Sequence, residues 1–147
     1  MAHFAEIDTD TNEVLRVLVV HDDYEHRGQE FLADDLGLGG TWIQVSYNTR
    51  AGVHVLGGTP LRYNYPAIGD NFDPVGDGFY APPPEDINGV VCESWVLDEN
   101  YIWQPPTPNP GDELTYWDEN VGDWITPGDP PGPGYQWDTV LREWVEQ

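Results

Sequence analysis

The segment Trp117–Trp124 reads WDENVGDW, and Trp137–Trp144 reads WDTVLREW. Each begins with a Trp-Asp pair and ends with a second Trp, seven positions after the first. A related copy, Leu97–Trp103 (LDENYIW), has its second aromatic residue six positions on. The starts at 97, 117 and 137 are 20 residues apart, so the last third of the chain is predicted to be a string of small modules.

Each module is predicted to be a β-hairpin. If its apolar ends face each other across an antiparallel pair, seven positions leave room for one further pair and a four-residue loop. Asp73, Asp118 and Asp138 follow the first aromatic residue, where a carboxylate can accept backbone N–H groups at the turn. Turn chemistry therefore explains these acids without a catalytic role. Weaker copies of the module are Phe72–Phe79 and Ile7–Val14.

The last module fits two structures. Asp138 could also cap a helix with Leu141, Trp144 and Val145 on one side, and only the register of the repeat favours a hairpin. An isolated hairpin is marginal in water, so the modules must lean on one another, on the N-terminal domain or on a neighbouring subunit. Pro-rich spacers between the modules are predicted to hold them apart at semi-rigid distances.

The N-terminal part has a different pattern. Strands are predicted at residues 3–7 and 14–20, a helix from about Gly28 to Leu36, and an alternating strand over 41–47 in which Trp42 is out of phase with Ile43 and Val45. This β-β-α-β order can bury one face of the helix on a small antiparallel sheet. A further hairpin is predicted across Gly57 and Gly58, between strands at residues 53–56 and 61–65.

The predicted fold is mainly β with one short helix. It consists of a small β-β-α-β N-terminal domain (residues 1–66), a hairpin and Pro-rich linker (67–92), and an extended Pro-rich arm of repeated Trp/Asp hairpin modules (93–147). The 14 Pro and 16 Gly residues, densest after residue 56, argue against one compact core.

The charge balance excludes several classes of partner. The chain has 27 acidic residues and five basic ones, all of them Arg, for a formal net charge of −22. Nucleic acids and anionic membranes are disfavoured, because both require clustered Lys and Arg. We also expect no membrane span and no secretion signal, since the sequence has no long apolar run and its first residues lack the basic-then-apolar order.

Motifs for catalysis or metal binding are sparse, so we expect no enzyme activity, no cofactor and no metal. Asp8-x-Asp10-x-Asn12 resembles the start of a calcium loop, but Glu13 stands where that loop needs Gly, and a solvated turn is favoured. His21 and His26 are predicted to serve the loop or the start of the helix. Cys92 is predicted to be a small buried apolar residue.

The aromatic residues of the modules are the candidate functional residues. Their two interpretations are packing, within their own hairpins or against a neighbouring protein, and stacking on sugar rings. Packing is the favoured one, and a carbohydrate-binding module is the alternative. The candidates for a protein interface are Trp95, Trp103, Trp117, Trp124, Trp137, Trp144, Phe72 and Phe79.

Segments along most of the chain also carry a family resemblance. In order, they are His3–Asp8, Val14–His21, Gly39–Trp42, Gln44, Ser46–Asn48, Asn64–Gly69, Ser94–Asp98 and Trp103–Pro106. Together they resemble a group of small proteins encoded by marine cyanobacterial viruses and related tailed phages, which are regarded as structural or uncharacterised. The chain departs from that pattern at Glu85–Cys92 and in its third C-terminal module.

The resemblance implies a virion component, and the acidic, modular, Pro-rich chain suits a protein present in many copies. We therefore expect a non-enzymatic capsid decoration or cement protein that bridges major capsid subunits. The alternatives are a structural protein of the neck, the baseplate or the tail fibres, and a carbohydrate-binding module. The expected partners are the major capsid protein, other virion proteins or a second copy of the chain.

Overall fold

The computed structural model describes residues 1–111 and 114–147. It confirms a mainly β fold with one short helical segment, with 34% of residues in strands and 14 residues in the helical segment. The chain forms two compact units. The first comprises Met1–Pro82 with Leu97–Ile102, and the second comprises Pro83–Val96 with Trp103–Gln147.

A three-stranded antiparallel sheet is the base of the first unit. Its strands are β1 (Ala2–Ile7), β2 (Val14–Val20) and β3 (Thr41–Val45), in the spatial order β2-β1-β3. The central strand β1 pairs with both neighbours, and a bulge interrupts its pairing with β2 next to Ile7. The predicted β-β-α-β order is therefore the observed one.

Both faces of this sheet are covered, because successive side chains of a strand point to opposite faces. One face packs against the helical segment, and its buried residues are Ala2, Phe4, Val20, Leu32 and Trp42. The other face forms a second cluster with an aromatic hairpin, and its buried residues are Ala5, Ile7, Val14, Val45, Phe72 and Phe79. The out-of-phase position of Trp42 is confirmed by this division.

The helical segment begins earlier than predicted. It consists of a 3-10 helix at Asp22–Arg27, an α-helical turn at Gly28–Glu30 and a π-helical turn at Phe31–Asp35. The predicted role of His21 at its start is confirmed, because the His21 Nδ1 accepts the backbone N–H of Asp23 at 3.1 Å. Gly28 is required where the helix meets the sheet, since a Cβ there would lie 2.1 Å from the Phe4 ring.

The predicted hairpin across Gly57 and Gly58 is wrong. The two-residue strands β4 (Thr49–Arg50) and β5 (Val53–His54) pair instead around Ala51 and Gly52, which both have positive φ. His54 then stabilises the following bend, because its Nδ1 accepts the N–H groups of Leu56 and Gly58. A tight αL turn thus closes before the Gly57–Gly58 pair is reached.

The hairpin of Phe72 and Phe79 belongs to the first unit. Its strands β6 (Asn71–Asp73) and β7 (Gly78–Tyr80) pair Phe72 with Phe79, and both rings are buried beneath the sheet. The prediction placed this hairpin in a linker region, but its aromatic pair completes the core of the first unit.

The second unit is built from hairpins. Strands β8 (Val96–Leu97) and β9 (Trp103–Gln104) pair with each other, and they include the two points at which the chain passes from one unit to the other. Two further hairpins follow, β10 (Tyr116–Asp118) with β11 (Asp123–Ile125) and β12 (Tyr135–Asp138) with β13 (Glu143–Glu146). The last pair decides between the two interpretations of residues 138–146 in favour of a hairpin.

In the described ranges, 1–111 and 114–147, no helix has the length and apolar character that crossing a bilayer requires.

Candidate interaction site

The β10–β11 hairpin has the predicted register. Trp117 faces Trp124 and Asp118 faces Asp123, which leaves a four-residue loop. The Asp118 Oδ1 accepts the N–H groups of Asn120 at 3.1 Å and Val121 at 3.2 Å, and its carbonyl accepts the N–H of Gly122 at 2.8 Å. Gly122 has φ +75°, the left-handed conformation that Gly adopts most easily. The prediction that Asp acts through turn chemistry is confirmed here.

The same turn recurs after Asp8, Asp73 and Asp138. Each of these carboxylates accepts a backbone N–H two residues on. The residue four positions on has positive φ, and these residues are Asn12 (63°), Asp77 (56°) and Arg142 (57°). After Asp98 the turn is one residue shorter, with Tyr101 at φ 62°, which accounts for the offset of six in that copy.

Three indoles form a cluster in the second unit. Trp117 and Trp124 pack edge to face with ring centroids 5.3 Å apart, and Trp95 lies 5.9 Å from Trp117 and 6.3 Å from Trp124. The Nε1 of Trp124 donates to the carbonyl of Thr107 at 2.6 Å. The Nε1 of Trp95 is buried and has no acceptor among the described residues. These contacts favour packing of the indoles within the unit over stacking on sugars, since the edge of one ring covers the face of another.

Glu119 joins this cluster to the loop before β8. Its carboxylate accepts the Nε1 of Trp117 at 2.7 Å, the backbone N–H of Ser94 at 2.8 Å and the Ser94 hydroxyl at 2.7 Å. Its own N–H donates to the Asp86 carboxylate at 3.0 Å. The bond from Trp117, followed by those from Ser94, lowers the pKa of Glu119 despite the opposing effects of burial and of Asp86.

The β12–β13 hairpin carries an equivalent aromatic pair. Trp137 faces Trp144 in the ladder, and their rings pack edge to face with centroids 5.5 Å apart. The Nε1 of Trp137 donates to the Tyr116 hydroxyl at 2.8 Å, and that of Trp144 to the Pro127 carbonyl at 3.3 Å. The indole N–H groups thus fix this hairpin to β10 and to the Pro-rich spacer.

An ion pair also links the two hairpins. The Arg142 Nε lies 2.7 Å from Oδ2 of Asp118, whose side chain is only 1% exposed. Burial acts to raise the pKa of Asp118, but the bond from Arg142 and the N–H groups of Val121 and Asn120 outweigh it and lower that pKa. The prediction that Pro-rich spacers hold the modules apart is wrong for this pair, because charged and aromatic side chains join them directly.

A second polar contact anchors the last hairpin to the segment before β8. The Thr139 hydroxyl donates to the Asn88 side-chain oxygen at 2.7 Å, and the Asn88 amide donates to the Thr139 carbonyl at 3.2 Å. The modules were predicted to be supported by one another, by the N-terminal domain or by a neighbouring subunit. Within this unit, they pack against one another.

The hairpin tips expose aliphatic side chains. Val75 is 95% exposed at the tip of β6–β7, Val121 is 46% exposed at that of β10–β11, and Val140 and Leu141 are 71% and 61% exposed at that of β12–β13. Turn positions usually carry polar residues or Gly and Pro. Exposed aliphatic residues therefore recur at the tips of three hairpins.

The predicted interface residues occupy three kinds of position. Trp117 is buried inside the indole cluster, Trp103 is half-buried in β9, and four others are half-buried around the cluster or in the last hairpin, namely Trp95, Trp124, Trp137 and Trp144. Phe72 and Phe79 are core residues of the first unit. These two rings are not accessible to a partner protein.

The described residues give little support for metal binding or for a reactive cysteine. None of their His, Cys, Asp and Glu side chains form a group of three suited to a metal ion. The Asp8 carboxylate accepts the N–H groups of Asp10 and Thr11, so the calcium-like sequence forms a turn. Cys92 is buried, as predicted, and that burial raises the pKa of its thiol.

Several important residues escaped the sequence prediction. Glu119 and Arg142 lie inside the turns. Glu119 has a counterpart in Glu99 of the Leu97 copy, but the spacing does not indicate which groups it bonds, and Arg142 stands where the Trp117 copy has Gly122. The exposed tips were detectable in principle. Val75, Val121 and Val140 stand where turn chemistry favours polar residues.

Comparisons with family models, with curated proteins and with solved structures give no match.

Proposed function

We propose that the chain is a non-enzymatic structural protein of a tailed bacteriophage virion, and specifically a capsid decoration or cement protein that bridges major capsid subunits. The observation that carries the proposal is the set of aliphatic hairpin tips, Val75, Val121, Val140 and Leu141. Apolar groups that project from rigid turns are suited to insertion into pockets of a partner protein. A reaction site would instead need converging polar groups in a cleft.

The electrostatics supports the same role. With a net charge of −22, free copies repel one another and stay dispersed until they meet a surface of complementary charge. The rigid turns also favour binding. In each turn a carboxylate and an αL residue fix the backbone before a partner binds, which lowers the loss of conformational entropy on binding.

The test begins with purified virions of the phage that encodes the chain. We expect the protein to sediment with intact capsids, and its deletion to make those capsids less resistant to heat and osmotic shock. Recovery in tail fractions alone would contradict the capsid assignment and support a neck, baseplate or tail-fibre position.

Tip variants then test the mode of binding. The double substitution Val121→Asp and Val140→Asp should abolish incorporation into capsids, because it places charges at the proposed contacts. A control is Val96→Asp, at a residue of the second unit that is 62% exposed but lies in strand β8, outside the hairpin tips. Equal incorporation of both variants would contradict a role for the tips.

A further inference from the structure

The two edges of the first unit's sheet differ. At the β3 edge, the backbone N–H of Trp42 donates to the side chain of Gln29, and the carbonyl of Gln44 accepts Nη1 of Arg62 at 2.6 Å. Side chains therefore occupy the groups that an added strand would need. At the β2 edge, none of the residues in the ranges 1–111 and 114–147 gives such cover over most of the strand.

The register shows which backbone groups of β2 are open. The backbone N–H of Trp42 and the backbone C=O of Gln44 face away from β1. Strand β3 therefore bonds to β1 through the alternate residues, and Ile43 pairs with Ala5. Ala5 therefore directs its backbone N–H and C=O toward β3. Val17, which pairs with Ala5 on strand β2, directs its N–H and C=O away from β1, toward the outer side of the sheet. The same alternation places the N–H and C=O of Val19 on the outer side.

Only the start of this outer edge is paired. Val14 donates to the Asp70 carbonyl at 2.8 Å and accepts the N–H of Gly69 at 2.9 Å. The chain then turns away, because Asp70 bonds back to Ala67 and the preceding Pro66 has no N–H to offer. For Val17 and Val19, the described residues supply no backbone partner on the outer side.

The open edge is apolar in the middle and acidic beyond both ends. Leu15 is 44% exposed and Val19 is 50% exposed, and the one charged residue of 14–20 is Arg16, whose Nε pairs with the Glu6 carboxylate at 2.8 Å. Glu13 is exposed just before the strand, and the Asp23 side chain is 79% exposed just after it. Natural proteins protect long apolar edges from pairing, so an uncovered one marks a site for an added strand.

We propose that the open edge of β2, residues 15–20, binds an extended strand of a partner protein that is apolar in its centre and basic at both ends. A second copy of the chain fits poorly. A second copy would bring its own exposed Glu13 and Asp23 to an edge that already has these acids beyond its ends, and each copy carries a net charge of −22. Basic ends on the partner convert that repulsion into attraction. The edge lies in the first unit, so the proposal does not depend on the position of the protein in a virion.

The experiment uses the full chain, labelled with ¹⁵N, and a synthetic peptide of alternating valine and threonine with lysines at each end. We expect the peptide to shift the amide signals of Val17 and Val19 first. The same peptide with every backbone nitrogen methylated should not bind, since it cannot donate to the edge. Shifts centred elsewhere, no shifts at all, or equal binding of the methylated peptide would overturn the proposal.

Variants of the edge complete the test. Val17→Pro removes an N–H that the sheet does not use and should weaken peptide binding about tenfold, the equivalent of one main-chain hydrogen bond. Val19→Lys should weaken it as well by repelling the lysines of the peptide. Val53→Lys adds the same charge at a valine of the first unit that is 61% exposed, and should leave binding unchanged. A concentration-dependent dimer that Val17→Pro abolishes would show that the occupant is a second copy and would overturn the choice of partner.

Discussion

The hairpins of Phe72/Phe79 and Trp117/Trp124 share a register and a turn but are stabilised in different ways. In the first unit the two Phe rings are buried beneath a sheet, with Ile7, Val14 and Val45 around them. In the second unit the two indoles are fixed by hydrogen bonds to Glu119 and to the Thr107 carbonyl. The first hairpin therefore depends mainly on apolar burial, while the second adds hydrogen bonds from its indoles to the packing of the three-indole cluster.

The largest expected effect is the loss of the buried aromatic pair in the first unit. Phe79 is fully buried, and Phe79→Ala should lower the free energy of unfolding of this unit by about 3–5 kcal/mol through lost burial and a new cavity. Hydrogen exchange of the β1 amides would measure the change. Val75→Ala, at the exposed tip of the same hairpin, should change stability by less than about 0.5 kcal/mol. Similar effects of the two substitutions would contradict burial as the source of stability.

The ion pair of the second unit should contribute less. Asp118→Asn keeps an oxygen for the turn but removes the charge that binds Arg142, and should cost about 1.5–3 kcal/mol. Hydrogen exchange of the β10 and β11 amides would measure it. The matched control is Asp138→Asn, which alters the same turn position where the described residues supply no cationic partner. A loss as large in the control would assign the effect to the turn and not to Arg142.

The contribution of Glu119 should depend on pH. Its pKa is lowered in the folded protein, so it stabilises the second unit above the ordinary Glu pKa of about 4.3. That contribution is lost as the pH falls through the lowered value. In urea unfolding at a series of pH values, the difference between the wild type and Glu119→Gln should shrink in this acidic range. A difference that stays constant across the pH series would contradict this role of the Glu119 carboxylate.

The smallest expected effect concerns the conformation of one turn residue. Gly122 has φ +75°, and Gly122→Ala should cost about 1–2 kcal/mol because of the left-handed conformation. Gly132 lies in the same unit without positive φ and with open space for a Cβ, so Gly132→Ala should be neutral or slightly stabilising. Thermal unfolding of the two variants tests this difference, and equal midpoints would mean that the turn tolerates a side chain.

Local features were predictable from the sequence, and long-range ones were not. The Asp118 turn and the pairing of Trp117 with Trp124 follow from the spacing within eight residues, because turn geometry fixes register. The sequence spacing contains no information about which surface Phe72 and Phe79 would cover, nor about the pairing of Arg142 with Asp118. Those contacts join distant segments, and they depend on packing that propensity and periodicity do not describe.

A polar contact from the segment Leu97–Ile102 also stabilises the first unit. The Tyr101 hydroxyl donates to the Asp73 carboxylate at 2.7 Å, and that bond, with burial, raises the pKa of Tyr101 to about 12. The neutral phenol is thus the form that stabilises the fold. Its contribution should be complete below the ordinary Tyr pKa of about 10 and should be lost as the pH rises toward 12.

The short span of the Asp hairpins has a consequence for the speed of folding. Trp117 meets Trp124 within a single turn, whereas β1 joins β3 only when His3 reaches Val45. Hairpins of this size close in about 1–10 μs, while contacts between distant segments form more slowly because a long loop must be ordered first. The turns of the repeats should therefore close early, and closure of the sheet at β3 should set the rate at which the first unit folds.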